Sequence, residues 1–85
     1  MLNKKSLLIT GGTGSLGQAL VEEILYRYPD IDRLVIFSRD ELKQFDMAQK
    51  FSEEKYPCMR YFIGDIRDAN RLRRALEGID YVIHA

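Results

Sequence analysis

Leu7-Leu8-Ile9-Thr10-Gly11-Gly12-Thr13-Gly14-Ser15-Leu16-Gly17 decides the fold of this 85-residue chain. An apolar run ends in a glycine-rich turn, and a helical pattern begins at once. Gly12, Gly14 and Gly17 stand at the G-x-G-x-x-G spacing of a dinucleotide fingerprint, and Gly11, Gly14 and Gly17 give a second register. Glycine serves three purposes here. It permits the tight strand-to-helix turn, it lets backbone approach a pyrophosphate, and it lets the helix pack closely on the strand. The phosphates would sit at the helix N-terminus, where free N–H groups and the helix dipole favour an anion. The spacing by itself is a weak signal. It needs a strand before it, a helix after it and a ribose reader about 20 residues later.

The flanks supply that context. Ser6 to Thr10 is apolar on both faces, as in a parallel strand covered on both sides. A helix from about Ser15 to Tyr28 would turn Leu16, Ala19, Leu20, Ile24 and Tyr28 to one face, with Glu22, Glu23 and Arg27 mostly opposite. Pro29-Asp30 ends it. The second strand is Leu34 to Phe37. Ser38 and Glu41 then have capping-box spacing, with Asp40 as the alternative cap. The helix they start runs to about Glu54, with Leu42, Phe45, Ala48 and Phe51 inward, until Tyr56-Pro57-Cys58 breaks it. Met59 to Ile63 is the third strand and Gly64 to Arg67 a turn. Asp68 caps a third helix, Ala69 to Glu77, with Leu72, Ala75 and Leu76 inward and Gly78 at C′. Asp80 to His84 is the fourth strand. The order βαβαβαβ predicts an α/β, Rossmann-type doubly wound parallel sheet with right-handed crossovers and strand order 3-2-1-4. Its switch point falls between strands one and four, beside the glycine turn. With no repeat or linker, residues 1–85 read as one cofactor-binding domain.

Composition narrows the classes. The 46% apolar and 31% charged content is that of a globular chain rather than a disordered one. Thirteen basic and thirteen acidic residues cancel, so nothing predicts a nucleic-acid or membrane surface. Cys58 stands alone, which excludes an internal disulfide and a cysteine-only metal site and fits a reducing cytoplasm. The apolar run after Lys4-Lys5 is too short for a signal peptide, and no stretch approaches the roughly 20 residues of a membrane span. The chain stops at Tyr81-Val82-Ile83-His84-Ala85, at a strand end, which predicts the N-terminal piece of a longer protein.

The ribose reader belongs at the end of the second strand, where an acidic residue would select NAD. Ser38, Arg39 and Asp40 stand there. Arg39 can stack on adenine and bind a 2′-phosphate through its planar fork. Ser38 adds a hydroxyl donor and Lys43, one turn on, adds charge. This favours NADP; were Asp40 to face the ribose instead, NAD would be favoured. At the end of the third strand, Asp65 can accept the adenine amino group and the amide of Ile66 can donate to a ring nitrogen. At the end of the fourth, Ala85 is small enough to admit a cofactor, and His84 reads as packed and hydrogen-bonded rather than as a base. Cys58 reads as a small buried or half-buried residue. No tyrosine lies in a Tyr-x-x-x-Lys context.

Thr10 to Gly17 resembles the TGxxGxxG signature of extended short-chain dehydrogenase/reductases. Ser38 to Gln44, Met59 to Asp68 and Val82 to Ala85 are more specific. Together they resemble the polysaccharide-biosynthesis branch of UDP-N-acetylglucosamine 4,6-dehydratases, over nearly the whole chain. The resemblance implies a soluble, C5-inverting enzyme that opens the route to pseudaminic acid for flagellin or surface glycans. It also implies a UDP-sugar substrate and a homo-oligomer at full length. By it, Thr13, Gly14, Ser15 and Leu16 would contact the NADP pyrophosphate. Ser38, Arg39, Asp40, Glu41, Leu42 and Lys43 would contact the adenosine phosphate, Asp65 and Ile66 the adenine, and Ala85 would line the cofactor. The family's reaction is an internal redox cycle. NADP+ takes hydride from sugar C4, water leaves across C5 and C6, and hydride returns to C6. The family's later Tyr-x-x-x-Lys, its acid/base Asp-Lys pair and its sugar-nucleotide domain are not in these residues, so the chain is expected to bind cofactor without turnover. The rival readings are another extended reductase, such as a sugar-nucleotide epimerase, or a non-enzymatic nucleotide-binding module.

Overall fold

Seven elements alternate along residues 1–85, all of which the computed structural model describes. They are β1 (Ser6–Thr10), α1 (Ser15–Arg27), β2 (Arg33–Ser38), α2 (Glu41–Lys50), β3 (Met59–Ile63), α3 (Ala69–Ala75) and β4 (Tyr81–His84). The strands form one sheet in the order β3-β2-β1-β4, every pairing parallel. This is the doubly wound arrangement that the alternation predicts. In register, Ile9 lies between Ile36 and Ile83, and Thr10 between Phe37 and His84.

Side chains of a strand alternate between faces, and both faces here are apolar. Leu7, Ile9, Leu34, Ile36 and Met59 meet Val21 and Ile24 of α1 and Met47 of α2 on one side. Leu8, Val35 and Phe37 meet Ala75 of α3 on the other. Two helices cover one face and one covers the other, so β1 and β2 are buried along nearly their whole length. β4 forms an edge, with Tyr81 and Val82 exposed. No helix is long and apolar enough to cross a membrane.

The rotation of two helices departs from the expected apolar stripes. In α1 the inward residues are Gly17, Val21 and Ile24, while Leu16 and Ala19 face solvent, Leu16 at 74% exposure. Gly17 is pressed against the Gly12 backbone, so that contact and not the widest apolar face sets the helix rotation. In α2 the buried positions are Gln44 and Met47, followed by Phe51, while Leu42 and Phe45 are 70% and 64% exposed. The amide of Gln44 reaches back to the ends of β2 and β3, donating to Ser38 Oγ at 2.9 Å and to the Phe62 carbonyl at 3.1 Å. A polar anchor thus outweighs two large apolar side chains in orienting the helix.

The ends also shift. Asp40, not Ser38, caps α2, accepting from the Lys43 amide at 2.9 Å, because Ser38 is still in β2. The helix stops at Lys50 rather than Glu54. The Phe51 carbonyl there accepts from the Tyr61 hydroxyl at 2.6 Å, and Ser52 starts a separate turn by accepting from the Lys55 amide. Burial pushes the Tyr61 phenol up to about 12, so it stays a donor at neutral pH. α3 is capped by Asp68 as expected but ends at Ala75, and the turn that follows closes through Gly78 at φ +73°, a left-handed position. α1 ends at Arg27 with Tyr28 as its cap, β2 gains a residue at each end, and β4 starts at Tyr81.

Candidate functional site

β1 runs into Gly11, whose φ of +67° is left-handed and where a Cβ would come within 2.7 Å of the Ala85 carbonyl oxygen. The Gly11 amide donates to the Phe37 carbonyl at 3.0 Å, and the Ala85 amide donates to the Thr10 carbonyl at 2.9 Å. The turn is therefore held between β2 and β4. Gly12 is buried over Ile9, and a Cβ on Gly17 would run into the Gly12 carbonyl. These glycines are required by the fold itself.

Gly14 is different. Its backbone is extended, at φ −77° and ψ −179°, which any residue adopts. A Cβ there would meet nothing within 4 Å. It is the N-cap of α1 yet supplies no side-chain bond, and the first turn of the helix holds no acidic residue. The opening N–H groups of a helix have no intrahelical acceptor, and here no side chain replaces it. Space and donors are both turned outward, which fits a pyrophosphate.

The strand ends form a cleft of about 400 Å³ beside this turn, lined by Thr10, Gly11, Phe37, Ser38, Arg39, Gly64, Asp65, Ile66, Arg67 and His84. A second cleft of about 220 Å³ is lined by Thr13, Gly14, Ser15, Gln18, Lys43 and Asp46. The expected site residues thus divide. Gly11, Ser38, Arg39, Asp65 and Ile66 share the main cleft, while Thr13, Gly14, Ser15 and Lys43 share the smaller one. The remaining six line neither cleft. Gly17 is inside the helix–turn contact, and Ala85 lies against Gly11. Leu16 and Leu42 are exposed, Glu41 borders a groove with Phe45 and Tyr61, and Asp40 is committed to capping α2.

Charge is concentrated at Asp65. Its carboxylate accepts from Arg67 Nε at 3.1 Å and from the second guanidinium nitrogen at 2.8 Å, from the Arg67 amide at 2.9 Å, and from Arg39 at 3.3 Å. Hydrogen bonds from Arg67, reinforced by the charge of Arg39, hold the Asp65 carboxyl well below the usual carboxylate range. A carboxyl depressed in the folded state stabilises the fold above its unfolded pKa, and that contribution is lost as pH falls through the folded value. Asp65→Asn is therefore expected to flatten the acid limb of a Tm-against-pH curve below about pH 4, the unfolded carboxylate value. An acid limb identical to that of the wild type would show that the pairing contributes nothing.

His84 is hydrogen-bonded as expected, through Nδ1 to Thr10 Oγ1, but it is exposed rather than packed. Cys58 is half-buried, its thiol pushed up by burial, at the opposite end of the sheet from the clefts. No three His, Cys, Asp or Glu side chains come together as metal ligands.

Residues 7–85 match the family model described as polysaccharide biosynthesis protein. The chain belongs to that family. It is 54% identical over 85 residues to a UDP-N-acetylglucosamine 4,6-dehydratase (inverting) of Campylobacter jejuni, covering all of this chain and 24% of that protein. It is 45% identical over 87 residues to a UDP-glucose 4-epimerase of Rickettsia bellii, covering 25% of that protein. Among solved structures it resembles Pen from Bacillus thuringiensis, with a TM-score of 0.84 and 38% identity over 95% of this chain and 25% of that one. The chain thus spans about a quarter of the length of the curated relatives it matches.

In this polysaccharide biosynthesis family member, five contributors to the main cleft were not among the site residues expected from sequence: Thr10, Phe37, Gly64, Arg67 and His84. Gly64 carried a signal. A Cβ there would meet Arg71 Cγ at 2.7 Å and Phe37 Cζ at 2.8 Å, and an isolated glycine after a strand marks such a close approach. Arg67 carried none, because its place depends on the turn folding back onto Asp65.

Proposed function

We propose that this chain is the NADP-binding domain of a UDP-N-acetylglucosamine 4,6-dehydratase. The observation that carries the cofactor reading is Gly14, a fingerprint glycine that neither backbone angle nor packing demands, at the uncapped start of α1. Amides from Thr13 to Leu16 would hold the pyrophosphate, with Gly11 and Gly17 shaping the turn. Arg39 lines the main cleft while Asp40 is occupied as a cap, which supports a 2′-phosphate reader over a ribose-selecting carboxylate. Ser38 and Lys43 would join Arg39, with Glu41 and Leu42 completing that loop, while Asp65 and Ile66 take adenine and Ala85 walls the cofactor. The bound nicotinamide would supply reversible hydride acceptance. Identity to the C. jejuni enzyme supports a UDP-amino sugar as substrate and a C5-inverting outcome. In the whole protein we place the work in the cytoplasm, in a homo-oligomer, on the route to pseudaminic acid.

Titrating the chain with NADP+ and with NAD+ by calorimetry tests the cofactor reading. The expected result is saturable binding of both, tighter for NADP+. A preference for NAD+ would overturn the role of Arg39, and no saturable binding of either would overturn the cofactor site. The 45% identity to a UDP-glucose 4-epimerase supports a second reading, epimerisation at C4. NMR of the whole protein's products separates the two: a 4-keto-6-deoxy sugar from UDP-N-acetylglucosamine marks dehydration, and a C4 epimer of UDP-glucose marks the alternative.

A further inference from the structure

We propose that Gln44 is a positioning residue that fixes the Ser38 hydroxyl as a hydrogen-bond donor toward the main cleft, a role that rests on the NADP reading above. Gln44 is 3% exposed, in the first turns of α2. Its Nε2 lies 3.1 Å from the Phe62 carbonyl, 3.4 Å from the Ser38 carbonyl and 2.9 Å from Ser38 Oγ. Two of these three partners are backbone carbonyls, which only accept. The amide must therefore turn its NH2 toward them, so chemistry and not a choice of flip assigns the nitrogen. An amide nitrogen does not accept, so Ser38 Oγ accepts a hydrogen bond from Gln44 and keeps its own hydroxyl proton for another acceptor.

That proton is directed away from Gln44, and Ser38 lines the main cleft beside Arg39. An ionised phosphate can only accept, whereas a ribose hydroxyl can do either. A serine held as donor therefore matches a 2′-phosphate, next to a guanidinium with the same polarity. One further observation separates this role from simple packing. Gln44 Oε1 is buried with no hydrogen-bond partner. An apolar side chain of similar length would fill the space without that orphan, which is costly when buried. The site keeps the amide for its NH2 end.

The test is a double-mutant cycle on binding. Kd values for NADP+ and NAD+ are measured for the wild type, Gln44→Met, Ser38→Ala and the double variant, each checked for folding by circular dichroism. Gln44→Met is expected to lower the NADP+-over-NAD+ preference about tenfold, the scale of one hydrogen bond to a charged group. In the Ser38→Ala background the same change is expected to alter the preference less than about twofold, the ordinary limit of additivity. Gln44→Leu, which also removes the donor, is expected to lower the preference as far, and it serves if the methionine variant does not fold. A glutamine that only propped the helix would weaken both dinucleotides alike, with or without Ser38. An unchanged preference in folded Gln44→Met or Gln44→Leu, or an equal loss in the Ser38→Ala background, overturns this role and leaves the cofactor site standing. A wild type that binds neither dinucleotide overturns the site, and this role with it.

Discussion

Gly17→Ala is expected to remove the folded state of this chain or to cost it about 3 kcal/mol or more, at the upper end of overpacking effects. The added Cβ would overlap the carbonyl, carbon and Cα of Gly12, all backbone atoms. A side chain can change rotamer to relieve such a clash; backbone cannot. Relief would mean moving α1 off the turn, and with it Val21 and Ile24, which fill the larger core. Gly14→Ala is the paired control. Its Cβ meets nothing, so the fold should lose less than about 1 kcal/mol, the scale of a poorer N-cap. The same methyl would stand where the proposed pyrophosphate approaches, so dinucleotide affinity should fall while the urea midpoint barely moves. Urea melts of both variants decide the matter. A Gly17→Ala midpoint equal to wild type would show that the helix and turn are not in close contact.

Arg39→Ala is expected to weaken NADP+ about 10- to 100-fold, the range for hydrogen bonds to a charged group, and to leave NAD+ little changed. Arg39 is 70% exposed in its side chain, and its one ion pair, to Asp65 at 3.3 Å, is of the exposed kind that contributes little. Releasing it to meet a phosphate therefore costs little. Asp40 supplies the contrast. Its carboxylate is spent on the Lys43 amide, so Asp40→Ala should cost about 1 kcal/mol of stability as a lost cap and leave the dinucleotide preference alone. Calorimetric titration of both variants reads these effects. Equal losses for NADP+ and NAD+ in Arg39→Ala would confine Arg39 to stacking on adenine.

What the sequence made legible follows from where the physics is local. β1 and β3 fall on their expected residues, because apolar runs bounded by polar turns leave no other register. The strand order is that of the doubly wound arrangement, to which βα alternation with right-handed crossovers points. Ser38, Arg39, Asp65 and Ile66 reach one cleft because residues just past parallel strands gather at one edge of the sheet. Helix rotation was not legible. Leu16, Ala19, Leu42 and Phe45 have the right spacing for a buried stripe, but each helix is turned by a contact with a partner outside itself. Gln44 was hidden for the same reason. A glutamine in an amphipathic helix reads as solvent-facing until the carbonyls of Ser38 and Phe62 are brought to it.

The parallel pairing of β1 with β4 carries a consequence of timing. Thr10 and His84 are hydrogen-bonded neighbours 74 residues apart, and Leu7 pairs with Tyr81. Loop-closure entropy grows only slowly with length, by about 0.6 kcal/mol per doubling, but pairings this distant in sequence slow the search for the native state. On the ribosome β1 emerges first, and β2 can settle against it early. The Gly11 amide then finds the Phe37 carbonyl, while the opposite flank of the turn waits for Ala85 to reach the Thr10 carbonyl. The glycine turn is thus begun with β1 and completed only when β4 joins the sheet.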